Sequence, residues 1–252
     1  MDEAISIQKA DTIVSKHFKL YMEHHKTIGV LLSGGIDSSV ITSYVLQFYP
    51  QSHILSMGTK ASKDLPFVQL FCQAVDRPFE WVSLTEPAIQ HALPTVRTLL
   101  EEVEVTQSLM QLSLAVGYYL IFQRAHELGI TAIVTGQGPD ILFAGYHKYK
   151  SLSGTDLHLE IKKDLALLET DKKRDGAMAR HFGITLLNPY LEQDFVDFSM
   201  TVSPELKVKN GVEKYFMRRW GSTRHIPDVI VNRPKKAFQY STGLQNAVMK
   251  IV

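Results

Sequence analysis

A single cysteine in 252 residues rules out an internal disulfide and any cysteine-clustered zinc or iron–sulfur site. That residue, Cys72, sits among Val68, Phe71 and Val75 and reads as a core thiol. His24, His25, His147 and His158 have no second His or Cys at ligand spacing, which argues against zinc. Neither sign of charge is in excess: 27 Lys and Arg face 26 Asp and Glu, for a formal net charge of +1. A chain whose main business is wrapping nucleic acid would be more basic. No low-complexity tract or internal repeat interrupts the sequence. The opening residues MDEAISIQKADTIV carry acids and no long apolar run, so neither a signal peptide nor a membrane anchor is expected, and the expected location is cytoplasmic. The phosphate-loop pattern G-x-x-x-x-G-K-[ST] is missing as well, which disfavours a Walker-type γ-phosphate transferase.

What is present suits one large globular unit: 45% of residues are hydrophobic and 21% charged. Strand-like and helix-like segments alternate through the first part of the chain. A helix at 3–24 precedes a strand at 27–33, a helix at 38–48 and a strand at 53–58. A helix at 63–76, a strand at 79–84, helices at 86–101 and 107–128 and a fourth strand at 131–136 follow. This alternation is that of an α/β doubly wound parallel sheet, whose ligands collect at the carboxyl ends of the strands. After residue 150 the strand signal fades, and 156–181 and 190–200 read as helical. The expected organisation is therefore one domain over 1–252, with an α/β core at 1–150 and a mostly helical part at 151–252 that completes the site.

The stretch LLSGGIDSSVI at 31–41 ends a buried strand in a tight loop and opens a helix. The first turn of such a helix offers unpaired N–H groups and the positive end of the dipole, while Gly34 and Gly35 admit an anion close to the main chain. Ser33, Ser38 and Ser39 add hydroxyl donors, so pyrophosphate is a natural guest. Asp37 read alone is an ordinary helix cap. Beside bound phosphates its charge requires a divalent cation, and Mg²⁺ takes one or two carboxylates with phosphate oxygens. A second loop, TGQGPDILFAGYHKY at 135–149, repeats the pattern with Gly136, Gly138 and Asp140. Asp140 alone is a turn residue, whereas paired with Asp37 it is a metal ligand. Two such loops point to binding a whole pyrophosphate, and so to splitting ATP between its α and β phosphates.

LLSGGIDSS resembles the pyrophosphate-binding loop of the N-type ATP pyrophosphatases, the PP-loop superfamily. With TGQGPDILFAGY, with RDGAMARHFGITLLNPYLEQDFVDF at 174–198 and with VNRPKKAFQYSTG at 231–243, the chain is similar to the synthetase domain of asparagine synthetase B. The resemblance implies an adenine nucleotide α-hydrolase-like fold and an ATP- and Mg²⁺-dependent ligase. In such an enzyme a small-molecule carboxylate is adenylated, pyrophosphate leaves, and ammonia or an amine then displaces AMP to form an amide. It further implies that Ser33, Gly34, Gly35, Asp37, Ser38 and Ser39 hold pyrophosphate, that Asp37 and Asp140 bind Mg²⁺, and that Leu32, Met57 and Gly136 line the nucleoside site. Lys235 matches the lysine that stabilises charge in both steps, although adjacent lysines such as Lys235 and Lys236 are commonly a solvated pair. The sequence departs from the family where TGEGADE becomes TGQGPDI, which puts Gln137 at a catalytic position and Ile141 in place of an acid. GLExRxPFLD becomes GITLLNPYLE, with Thr185 and Leu187 in place of a glutamate and an arginine. These four positions are expected to bear on substrate choice more than on ATP handling.

Asp2 stands where a preceding glutamine amidotransferase domain would place its nucleophile, so a separate ammonia-donating amidotransferase is an expected partner. Two alternatives stay open: a PP-loop enzyme that adenylates a tRNA base, and a nucleotide-binding protein whose catalysis the four substitutions have ended. Lys162 with Lys163, Lys172 to Arg174, and Arg218 with Arg219 are read as exposed helix faces.

Overall fold

The computed structural model describes residues 2–252. Five strands, β1 (Gly29–Leu31), β2 (His53–Gly58), β3 (Glu80–Ser83), β4 (Ala132–Val134) and β5 (Thr185–Leu187), form one parallel sheet in the order β3-β2-β1-β4-β5. The helices in chain order are α1 (Glu3–His24), α2 (Ile36–Phe48), α3 (Leu65–Ala74), α4 (Glu86–Glu102), α5 (Leu109–Glu127) and α6 (Pro139–Leu142). They continue as α7 (Gly154–His181), α8 (Gln193–Thr201), α9 (Pro204–Lys207), α10 (Tyr215–Thr223), α11 (Asp228–Val231), α12 (Phe238–Ser241) and α13 (Leu244–Met249).

Alternation along the strands feeds two cores. Val30, Ile54, Ala132 and Val134 face one side, where α1, α2, α8 and α10 contribute Phe18, Tyr44, Phe195 and Trp220. Leu55, Met57 and Ile133 face the other, against Leu93 of α4, Ile121 of α5 and Met178 of α7. Burial on both faces makes these short strands continuous apolar runs. Cys72 belongs to the first core, and burial pushes its thiol up to about 11.

The sheet departs from the sequence reading in one respect. β5 lies in the part read as helical, a three-residue edge strand fenced by Gly183 at φ +68° and by Pro189. So short a segment has no periodicity to read, and pairing with β4 supplies its order. Thr135 Oγ1 ties the end of β4 to the same segment by donating to Asn188 Oδ1. Helix α2 also begins earlier than read, at Ile36, with Gly35 as its cap.

The order of the strands decides where a ligand can sit. β1 pairs with β2 on one side and β4 on the other, so the crossovers leave in opposite directions between β1 and β4 and open a crevice beyond their carboxyl ends.

Candidate active site

Both glycine loops emerge at that crevice. In the first, Ser33 N–H donates to Ser38 Oγ at 3.1 Å, Ser38 Oγ lies 2.9 Å from Ser33 Oγ and 3.1 Å from Gly35 O, and Gly34 takes φ +68°. The turn is closed by its own hydroxyls. Ser39 N–H makes the first intrahelical bond, to Gly35 O at 3.0 Å. The N–H groups of Ile36, Asp37 and Ser38 therefore have no helical acceptor and form the positive start of α2. The second loop lies directly against the first: a Cβ at Gly136 would sit 2.8 Å from Ser38 Cα and Ser38 N. Only glycine lets the loops after β1 and β4 approach so closely.

Asp37, in the first turn of α2, and Asp140, in α6, converge on one cation. Lys214 Nζ contacts Asp37 Oδ2 and lies 2.5 Å from Asp140 Oδ1, while Lys235 Nζ contacts Asp140 Oδ2. Lys214 is buried at the start of α10 in a left-handed conformation, after a tight turn at Asn210–Gly211. Its side chain passes over Gly145, where a Cβ would collide with Lys214 Cε. Burial raises the Asp37 carboxyl above its usual range despite Lys214, with Asp140 reinforcing the rise. Burial acts in the same direction on Asp140, but Lys214 and Lys235 outweigh it and hold that carboxyl low. Burial lowers Lys235, whereas the two carboxylates outweigh burial at Lys214 and raise it. Asp37 Oδ1 is buried without a hydrogen-bond partner, an acceptor with free capacity next to a second carboxylate. Such a donor set fits Mg²⁺, which needs one or two carboxylates and leaves its other positions to phosphate and water.

The segment 232–243 crosses the crevice and carries Lys235. Arg233 fastens it: its Nη1 donates to Ser33 O at 3.2 Å and Gly34 O at 3.0 Å, and its Nη2 to Lys63 O at 3.3 Å and Asp64 Oδ1 at 2.6 Å. The guanidinium stacks 3.9 Å from the centre of the Phe67 ring. Lys63 N–H donates to Ser241 O at 2.8 Å and Thr59 N–H to Thr242 O at 3.0 Å, so the far end of the segment is tied down too.

Beneath it lies a cavity of about 670 Å³. Leu32, Ser33, Gly35, Asp37, Ser38, Met57, Gly136, Gln137, Asp140 and Lys235 all line it, so most of the residues singled out in the sequence meet there. Gly34 and Ser39 do not; Ser39 is fully buried and its hydroxyl has no partner. Lys236 reaches the cavity from an exposed position at the rim. Ile141 lines the cavity, whereas Thr185 and Leu187 sit on the edge strand outside it. Direct contact with a substrate is thus available to two of the four departing positions only.

Two of the basic clusters are not exposed faces. Arg174 is 2% exposed: Nε and Nη2 donate to Asp175 at 2.7 and 3.1 Å, and Nη1 donates to Gln111 Oε1 and Asp171 Oδ1, each at 2.7 Å. Burial raises the Asp175 carboxyl to about 6, against the pull of Arg174 and a hydrogen bond from Gln137. Arg218 is half-buried and also lines the cavity. Lys214 escaped the sequence reading altogether. The available signal was indirect: two carboxylates brought together by two loops demand a counter-cation, but nothing in NGVEKYFMRRW reveals its reach.

Comparison with known proteins shows the family. The family model described as "Asparagine synthase" matches residues 15–164 and 158–250. The chain belongs to the asparagine synthase family and so to the PP-loop ATP pyrophosphatase superfamily, whose members form AMP-activated intermediates for ligation chemistry. It is 27% identical over 233 residues to asparagine synthetase B [glutamine-hydrolyzing] of Escherichia coli, covering 85% of this chain and 41% of that protein. To the putative asparagine synthetase [glutamine-hydrolyzing] 1 of Methanocaldococcus jannaschii it is 24% identical over 261 residues, covering 89% and 47%. The chain thus spans less than half the length of these relatives. Among solved structures, NMN synthetase from Francisella tularensis shares the fold, with a TM-score of 0.51, 13% identity and coverage of 97% of this chain and 82% of that one. Among the described residues no helix is long and apolar enough to cross a membrane.

Proposed function

We propose that this chain is an ATP- and Mg²⁺-dependent ligase domain that adenylates a substrate carboxylate and passes the acyl group to ammonia or an amine. The observation that carries the reading is the meeting of Asp37, Asp140, Lys214 and Lys235 at the β1/β4 crevice, beside the open N-terminus of α2. A carboxylate oxygen attacks the α-phosphorus of ATP and the α–β bridging bond breaks, with its electron pair leaving on pyrophosphate. The free N–H groups of α2, with the Ser33 and Ser38 hydroxyls, receive the departing charge. Lys214 adds a buried cation and Lys235 faces the α-phosphate. Mg²⁺ held by Asp37 and Asp140 would neutralise phosphate charge during the displacement. Nitrogen then attacks the acyl carbon and gives up a proton to the departing phosphate or to water, the acyl–phosphate bond breaks, and AMP leaves as Lys235 stabilises the oxyanion. Segment 232–243 and Arg233 keep water from the adenylate. An amidotransferase on a separate chain or segment would serve as the ammonia source.

The test is a nucleotide balance. With a panel of carboxylic acids, the protein should catalyse acid-dependent ATP–pyrophosphate exchange and release AMP and pyrophosphate in equal amounts. ADP as the main product would overturn the reading; nucleotide binding with no exchange for any acid would leave a nucleotide-binding protein.

A further inference from the structure

Away from the phosphate loops the cavity changes character. Its walls there come from α5 and α7, with Met110, Leu114, Tyr118 and Leu167 among them, and Phe238 of α12 closes one side. The polar floor is Gln111, Arg174 and Asp171, with Gln137 at the boundary. Tyr146 lines the cavity as well.

The fixed charges of this half are largely spoken for on the donor side. Arg174 is the only cation on its floor, and four of its five N–H groups are committed to Asp175, Asp171 and Gln111. A bidentate grip on a substrate carboxylate would cost the guanidinium one of these partners. Arg218 donates to Glu213 O at 3.0 Å and Val231 O at 2.6 Å and turns its other N–H groups toward Arg233 O at 3.5 Å. Beside the Tyr118 and Tyr146 hydroxyls, which can donate or accept, two acceptors keep free capacity. Gln137 Oε1 is buried without a partner, and Asp171, whose side chain is 25% exposed, accepts from Arg174 through Oδ1 only. Two carboxyl groups, Asp171 and Asp175, surround this one guanidinium. Free acceptors and an excess of carboxyl groups over cations on the floor call for a ligand that brings donors and positive charge, and the aromatic and aliphatic walls call for an apolar body.

We infer that this half of the cavity is a subsite for a protonated primary amine on an apolar or aromatic body, with Asp171 and Gln137 Oε1 taking its N–H groups and Leu114, Tyr118 and Met110 its body. The assignment of the subsite to a ligation reaction rests on the proposed function above. The ammonium can belong to the acyl substrate or to the nucleophile that consumes the adenylate; the recognition chemistry is the same.

The probe is 2-phenylethylamine, measured calorimetrically on the full chain with Mg²⁺ and α,β-methylene-ATP, beside 2-phenylethanol and 3-phenylpropanoate of similar shape. The amine should bind at least tenfold more tightly than either. Asp171→Asn should weaken it tenfold or more while leaving nucleotide affinity unchanged, and Leu114→Trp should block it by filling the apolar wall. Tighter binding of the carboxylate, or amine binding indifferent to both variants, would overturn the inference. Pyrophosphate exchange driven by phenylalanine-type amino acids would assign the ammonium to the acyl substrate, and amide formation with 2-phenylethylamine would assign it to the nucleophile. Ammonium chloride as the sole productive donor, with no 2-phenylethylamine binding, would remove the subsite and leave the ligase. ADP release with amine binding intact would do the reverse.

Discussion

At the scale of single residues the site is a balance of buried charges. Lys214 separates two carboxylates that would otherwise face each other across the crevice. Removing one partner of a buried ionic cluster typically costs about 3–5 kcal/mol, so Lys214→Met should destabilise the protein by that order. Added Mg²⁺ should recover part of the loss. Denaturant midpoints with and without Mg²⁺ check this, and an unchanged midpoint would mean that the ammonium does not hold the pair. Lys235→Ala should lower kcat roughly 10²- to 10³-fold, about 3–4 kcal/mol, because a preorganised charge near a developing oxyanion matters most in the transition state. Lys236→Ala, at the exposed rim, should cost little. Asp175 makes a claim about pH. Its folded-state value of about 6 lies above the ordinary aspartate value of 3.8, so the native state holds the proton more tightly. The resulting stabilisation is complete below about 3.8 and is lost as pH rises through about 6, on the order of 3 kcal/mol across that window. Asp175→Asn should flatten this part of the stability–pH curve, whatever its overall stability; an unaltered slope would assign the titration to another group.

Among elements, the decisive contact is that between the loops after β1 and β4. A methyl group at Gly136 meets backbone atoms of Ser38, which cannot rotate away, so Gly136→Ala should push the loops apart and cost about 1–3 kcal/mol. ATP affinity should fall with it, since the start of α2 and Asp140 would no longer converge. Gly183→Ala is the contrasting case: its added Cβ meets nothing within 4 Å, and the penalty at φ +68° is local to a turn outside the cavity. Equal nucleotide affinities in the two variants, by titration calorimetry, would show that loop contact does not shape the site. Periodicity made most of these elements legible: α1 spans Glu3–His24 as read, and β2 spans His53–Gly58 as read. β5 was illegible because three residues carry no period, and its existence depends on an edge offered by β4.

For the whole molecule, the α/β core and the helical part share one interior. Trp220 of α10 packs against Tyr44 of α2 at 5.9 Å and Tyr190 at 6.0 Å between ring centres, and its Nε1 donates to Asp11 of α1 at 2.9 Å. Residues beyond 150 also supply β5 and both lysines of the site. The chain should therefore unfold in one cooperative transition with equal calorimetric and van't Hoff enthalpies. A fragment ending at residue 150 should not fold, because it bares the β4 edge and the parts of both cores that α7, α8 and α10 cover. Two separated transitions would split the chain into independent units.

Local pattern alone determined the strand–loop–helix units, their glycines, and the hydroxyls and carboxylates they carry, because periodicity and turn chemistry act over a few residues. That much placed Ser33, Asp37, Ser38 and Asp140 in one site, and the family resemblance added Gln137 and Lys235. Only the tertiary structure decided which charges meet. Lys214 lies 177 residues from its partner Asp37, and Arg174 lies 63 from Gln111, so both contacts exist only once α7 and α10 have packed on the sheet. Burial then converted Arg174 from an expected surface charge into the floor of a cavity, and left Thr185 and Leu187 outside it. Long side chains can bridge distant loops, and desolvation depends on every element around a group; neither is written in the residues beside it.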